Sequence, residues 1–200
     1  YCMITRVAIT GGIACGKSLF SHFLTELGMD ILDADDVTHE LEAPGGAAVP
    51  AIRHFFGSGV MDVVGGVDRR ALAEIVFNDS DARKRLNEIV HPLVQEAIRR
   101  WLESPGRRLK AVVIPLLFEV GWNSEWDIII CVRAQETVQV QRLMRDRGFS
   151  QEEARRRIAA QMPVAEKADR SQIVVDNDAD AKALALEAAR VFRFLSERFQ

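Results

Sequence analysis

In the stretch ITGGIACGKSLF, residues 9–20, Gly11, Gly16, Lys17 and Ser18 fall at the spacing GxxxxGK[ST]. A loop of that spacing turns its backbone N–H groups onto phosphate oxygens, while the lysine and the hydroxyl reach terminal phosphates and Mg²⁺. The chemistry is that of a phosphate cradle. Its wall is Gly12, Ile13, Ala14, Cys15, Gly16, Lys17, Ser18 and Leu19, with Lys17 as the neutralising charge and Ser18 as the metal-facing hydroxyl. The run Val7-Ala8-Ile9 precedes the loop, and Phe20, Phe23, Leu24 and Leu27 follow it at helical spacing as far as Gly28. Strand, loop and helix therefore position the glycines, and the helix N-terminus adds partial positive charge. Cys15, close to that N-terminus and to Lys17, is expected to be the most reactive thiol.

The next candidate group is acidic. In MDILDADD (29–36), Asp33 ends a short apolar strand, where open parallel sheets place their ligand crevice. Asp33 reads either as an acid facing the ligand or as a helix N-cap, a role that Asp35 or Asp36 could fill instead. Six arginines, Arg142, Arg145, Arg147, Arg155, Arg156 and Arg157, fall within sixteen residues, and Arg142 and Arg145 share a helical face at i and i+3. A lysine cradle, an acid and a closing set of arginines are the parts of phosphoryl transfer, whose transition state spreads negative charge over equatorial oxygens and must be kept from water. No guanine-reading N-K-x-D occurs, and AVVIP (111–115) ends in proline where a motor ATPase carries an acid. Asp176 imitates that acid but follows the arginines, as the last strand. A small-molecule kinase with ATP as donor is the reading that remains.

Around these groups, short β-branched runs at 111–115, 127–132 and 172–176 read as strands buried on both faces, separated by helices over roughly 135–147, from Ser150, and over 179–199. Ser150 and Glu153 form a capping box. Residues 37–108 read as helix and turn: Asp68 caps one helix, NDSD (78–81) separates it from the next, and Pro92 opens a further one. The expectation is one α/β P-loop domain over 1–200, with a parallel five-stranded sheet flanked by helices. Its core is 3–36 and 109–200, with a helical insertion at 37–108.

Two hundred residues, 48% of them hydrophobic, suffice for one core with insertions. The charge of −3 offers no footprint for nucleic acid, and no apolar run spans a bilayer. The three cysteines, Cys2, Cys15 and Cys131, form no C-x-x-C pair, so a reduced, cytoplasmic chain is expected, without membrane partners. Its oligomeric state is left open.

The motifs TGGIACGKS, DAD (33–35), PGG (44–46), DRRAL (68–72), IVHP (89–92), PLLFE (115–119), QRLMRDRG (141–148), RRIAAQMP (156–163) and VVDN (174–177) resemble the dephospho-CoA kinase family in order and spacing, nearly end to end. The resemblance implies transfer of the ATP γ-phosphoryl group to the 3′-hydroxyl of dephospho-coenzyme A, with Mg²⁺. It also implies a substrate-binding helical subdomain at 37–108 and a lid over 142–165. Lys17, Asp33 and Arg142 would then be catalytic, Asp33 as base or orienter of the hydroxyl, and Arg142 and Arg145 would contact ATP. Asp35, Arg69, His91 and Glu119 would lie on the substrate side. Asp35 also has a place open to it in the metal shell, and His91 reads equally as a structural hydrogen-bonder. Phe118, Leu116 and Leu117 read as packing. The family usually has Gly-Ser at Ala14-Cys15, Thr at Leu19 and Ala-Asp at Ser171-Gln172, so a role of that last acid does not carry over.

Overall fold

Strands made of uninterrupted apolar residues need cover on both faces. In the computed structural model, which describes residues 5–199, β1 (Thr5–Gly11), β3 (Leu109–Val113) and β4 (Ile128–Arg133) are buried almost throughout. Cys2 lies outside the described residues. β1 runs parallel to β3 and to β4, and β4 to β5 (Ile173–Asp176), while β2 (Asp30–Asp33) lies beyond β3 at the edge. The result is the expected five-stranded parallel sheet, in the order β2-β3-β1-β4-β5. The strand that feeds the glycine loop is therefore central.

Alternate residues divide between the two faces. Val7, Ile9, Ile130 and Val132 join Phe20 and Leu24 of α1 (Lys17–Leu27) and Leu184, Val191 and Leu195 of α9 (Ala181–Arg198) in one apolar cluster. Ala8, Thr10, Ile129 and Cys131, also buried, turn the other way, and α8 (Val164–Asp169) packs on β4 and β1. Between them in sequence, α6 (Glu136–Arg147) and α7 (Gln151–Ala159) form a hairpin around Val140, Leu143 and Ala154. The Ser150 side chain accepts the Glu153 N–H at the start of α7, as the capping pattern predicts. At the family departure, the Gln172 side-chain oxygen accepts the Ile129 N–H at 2.8 Å, work that an uncharged amide can do.

Of the described residues, 5–32 and 105–199 form one compact unit, and Asp33–Ser104 forms a second. The second unit lies where the sequence predicts a helical layer over 37–108. It contains α2 (Ala34–Glu42), α3 (Val49–Phe56), α4 (Arg69–Asn78) and α5 (Ser80–Glu103). Asp33, Asp68 and Asp79 accept first-turn N–H groups of α2, α4 and α5 as N-caps.

One expectation fails here. Pro92 does not open a new helix but lies inside α5, which runs on for 24 residues. A proline withdraws the N–H that would reach the carbonyl four residues earlier, at Glu88, and its ring crowds that turn. Val90, Val94, Ile98 and Leu102 form one buried face along the helix, and their packing outweighs the local penalty. Replacing Pro92 by alanine should therefore stabilise the protein by about 1–2 kcal/mol, part of the ~3 kcal/mol separating the two residues in a helix interior. Urea unfolding measures this; a lower midpoint would mean that the ring makes packing contacts worth more than the restored hydrogen bond.

Candidate phosphate-binding site

The end of β1 meets β4 closely. Gly11 pairs with Val132 at φ 147, and a Cβ there would collide with the Val132 carbonyl oxygen, so only glycine fits. Gly16, at φ 90, is the N-cap of α1 and offers no side-chain cap, and no acid lies in the first turn. The first N–H groups of α1 and the positive end of its dipole thus face out with no side-chain cap or first-turn acid to complement them, which suits an anion. Lys17 Nζ donates to the carbonyls of Gly11 at 3.2 Å and Gly12 at 2.9 Å, which folds its charge back over the loop. Ser18 is exposed in the first turn, and Leu19 points outward at 39% exposure.

Side chains from far along the chain hold the loop. Ile13 is gripped twice: its N–H donates to Gln161 Oε1 at 3.0 Å, and its carbonyl accepts from Gln139 Nε2 at 2.8 Å. Asn177, buried just after β5, donates to the Cys15 carbonyl at 2.8 Å and leaves no room for a Cβ on Gly16. The Ile13 and Cys15 amides are therefore occupied, the latter by the Gly12 carbonyl at 3.3 Å, so these two of the expected wall residues act in holding the loop's shape. Ala14 has φ 57, where a Cβ is strained by about 1–2 kcal/mol and the family's usual glycine is not. Gln161 and Asn177 lie within recognisable motifs, but nothing local in the sequence says which loop group each would reach.

The expectation of a reactive Cys15 is overturned. Its side chain is fully buried, with Sγ accepting from Gln139 Nε2 at 2.9 Å. Burial pushes the thiol up from its ordinary value and outweighs the opposing charge of Lys17. Burial likewise pushes Cys131 up to about 12, with the neighbouring Cys15 adding to the rise.

The arginines separate by partner. Arg142 donates to the carbonyls of Ala14 at 3.2 Å and Asn177 at 2.9 Å, which places its guanidinium on the loop. Arg145 shares the predicted helical face, yet its guanidinium is held by Asp146 at 2.6 Å, and the structure does not bring it to the loop. Arg156 and Arg157 pair with Glu153, and Arg157 also stacks on Phe149. Asp176 pairs with Arg133 at 2.5 Å, a sheet-end contact.

Glu119 lies beyond the end of β3 at Val113, and its carboxylate meets Lys167 at 2.7 Å. Leu117 and Phe118 pack as expected, whereas Leu116 is 43% exposed. Lys167 belongs to no site motif in the sequence; its spacing with Val164 and Ala168 puts it on the inward stripe of its short helix.

In the helical unit, Asp33 Oδ1 accepts the Asp35 N–H at 2.9 Å, and Asp35 is exposed. Arg69 ion-pairs with the buried Glu42 at 3.2 Å and hydrogen-bonds His39; Arg70 pairs with exposed Glu74. Burial raises the Glu42 carboxyl above its ordinary value, opposed by Arg69 and His39. His91 is half-buried, and desolvation lowers its pKa, which favours the neutral imidazole at pH 7. It lines an open depression of about 540 Å³ with Arg83, Lys84, Asn87 and Glu88.

A family model described as dephospho-CoA kinase matches residues 5–183. The dephospho-CoA kinase of Geobacillus kaustophilus is 41% identical over 179 residues, covering 88% of this chain and 89% of its own. A crystal structure from Thermus thermophilus superposes with a TM-score of 0.83 at 32% identity, over 96% of this chain and 97% of that one. Shikimate kinase from Acinetobacter baumannii, at 15% identity and a TM-score of 0.55 over 98% of this chain and 96% of its own, shares the fold.

A water-soluble thiol reagent should leave Cys15 and Cys131 unlabelled in native buffer and label both in denaturant, as read by peptide mass spectrometry. Native labelling of Cys15 would contradict its burial. Both thiols are held protonated by the fold, so their contribution to stability is present at neutral pH. For Cys131 it is lost as pH rises from the ordinary 9.0 through about 12, and the urea midpoint should fall over that window.

Proposed function

The chain belongs to the dephospho-CoA kinase family, and from that membership we propose how its residues move the γ-phosphoryl group of ATP to the 3′-hydroxyl of dephospho-coenzyme A, giving coenzyme A and ADP. The observation that carries the reading is the uncapped N-terminus of α1 with Lys17 folded over the loop that leads into it. The first-turn amides of α1 take phosphate oxygens, and Lys17 exchanges its two carbonyl acceptors for them. Arg142 balances the charge that develops on the transferred group, because it is tied to carbonyls rather than to a carboxylate. Arg145 would have to leave Asp146 to do the same, as part of a lid over 142–165.

Mg²⁺, carried by the phosphates, supplies charge neutralisation when bound. The residues suit it: Ser18 offers an exposed hydroxyl, and among the described residues no cluster of His, Cys, Asp or Glu could cage a metal by itself. Mg²⁺ shared between phosphates and one or two protein groups has that donor pattern. Asp33 holds the acceptor hydroxyl and takes its proton as the oxygen bonds to phosphorus, while Asp35 stands beside it on the substrate side. The helical unit receives dephospho-coenzyme A. Its neutral His91 can donate or accept a hydrogen bond, and Arg83 and Lys84 in the same depression suit an anionic acceptor. Arg69, paired with Glu42 and still 56% exposed, stands on the substrate side of that unit. We assign the enzyme to the cytoplasm as a consumer of ATP; among the described residues no helix is long and apolar enough to cross a membrane.

Incubation with Mg·ATP and, separately, dephospho-CoA, AMP, CMP and shikimate should release ADP fastest with dephospho-CoA; a preference for AMP would overturn the acceptor. Lys17→Ala should abolish turnover with an unchanged circular dichroism spectrum. Asparagine caps a helix as well as aspartate does, so Asp33→Asn should keep α2 intact while turnover falls about 10²- to 10⁴-fold. ATP affinity by calorimetry should hold. Turnover within about threefold of the parent, far below a general-base effect, would leave Asp33 as a cap alone.

A further inference from the structure

Lys167 in α8 has a side chain with 0% exposure. Its Nζ lies 2.7 Å from Glu119 Oε1 and donates to the Pro115 carbonyl at 2.7 Å. An ion pair between a fully buried lysine and a carboxylate that is only 22% exposed is a poor way to gain stability, since apolar side chains of similar volume often serve as well or better. What it provides that they cannot is a fixed acceptor. Glu119 Oε1 also takes the Met162 N–H at 3.1 Å, and Met162 adjoins Gln161, whose side chain holds the Ile13 N–H at 3.0 Å. Pro115 in turn accepts the hydroxyl of Thr10, the residue before Gly11, at 3.2 Å. The path closes on itself, from Thr10 through the loop to Ile13, then by Gln161, Met162, Glu119, Lys167 and Pro115 back to Thr10.

We propose that Lys167 and Glu119 are positioning residues for the phosphate loop, acting through Gln161. The ion pair fixes the backbone between α7 and α8, and that backbone aims Gln161 at the Ile13 amide. The proposal rests on the reading of residues 11–18 as the nucleotide loop. A glycine-rich segment has many shapes to lose on binding, and ordering it beforehand moves that entropy from the binding step to folding. Gln161 is suited to the task because an uncharged amide oxygen satisfies one N–H without placing a negative charge beside incoming phosphates. The pair therefore governs ATP affinity more than the transfer step.

Two variants separate this role from packing. Gln161→Ala removes the last link, and Lys167→Met with Glu119→Leu removes both charges together, so that no unpaired buried charge remains. Amide exchange is followed by NMR without nucleotide, alongside KM for ATP and kcat. In both variants the Ile13 amide should exchange at least about tenfold faster while Ile9 and Ile130 keep their protection. KM for ATP should rise about tenfold, the size of one hydrogen bond, with kcat nearly unchanged. Combining all three substitutions should add little, because they cut one path. Unchanged Ile13 exchange in the folded Lys167→Met, Glu119→Leu protein would overturn the proposal, as would a kcat loss with unchanged KM. Should that protein not fold, Glu119→Gln decides: the neutral acceptor should loosen Ile13, and no change in its exchange would again overturn it. Exchange is read without substrate, so it stands whichever acceptor the enzyme phosphorylates.

Discussion

The N-terminus of α1, open at the end of the glycine loop with neither a side-chain cap nor a first-turn acid, governs the site. The helices α2, α4, α5, α7 and α9 each begin with an aspartate or serine that accepts a first-turn N–H, whereas α1 begins at Gly16 and, like α3, α6 and α8, has no such cap; unlike α6 and α8, it also lacks a first-turn acid. Exposed first-turn amides and an uncompensated dipole favour an incoming anion. Gly11 has to pass beneath the Val132 carbonyl for the chain to reach that point from the central strand, and Gly16 has to adopt a left-handed backbone beside Asn177. The two motif glycines thus answer to the same demand, a close backbone path into an open helix end.

A loop with an open end needs support elsewhere, and here it comes from side chains distant in sequence. Gln139, Gln161, Asn177 and Arg142 each take a backbone group of residues 13–15. Neutral amides predominate among these supports. They satisfy polar backbone without cancelling the positive potential that the helix end and Lys17 supply, as carboxylates would. Most arginines of the α6–α7 hairpin, by contrast, form exposed pairs with neighbouring acids, contacts of little energetic consequence. Sharing a helical face does not give two arginines one role; the nearest acceptor decides.

The same local competition settles the loop's departures from its family. At position 14 this chain tolerates alanine in a left-handed conformation, and at 15 it fills a small buried space with a thiol. Proximity to a lysine and a helix end would ionise an exposed thiol, but desolvation is the larger effect at Cys15. In the helical unit, burial of Glu42 is matched by Arg69, so an arginine that opens a helix against its dipole is explained by a carboxylate across the fold.

Sequence alone determined the elements whose cause is local. The cradle spacing, the alternation of buried strands with helices, the caps at Asp68 and Ser150, the order of motifs and the family could be read because each depends on residues a few positions apart. It erred at Pro92, where the buried face of Val90, Val94, Ile98 and Leu102 overrides a local breaker. Tertiary structure alone decided which polar group meets which: that Cys15 is buried, that Arg145 turns to Asp146, that Glu119 turns to Lys167, and that Gln139 and Gln161 grip Ile13. Those outcomes depend on contacts between segments 40 or more residues apart or on competition for the nearest partner, and side-chain type carries neither distance nor burial.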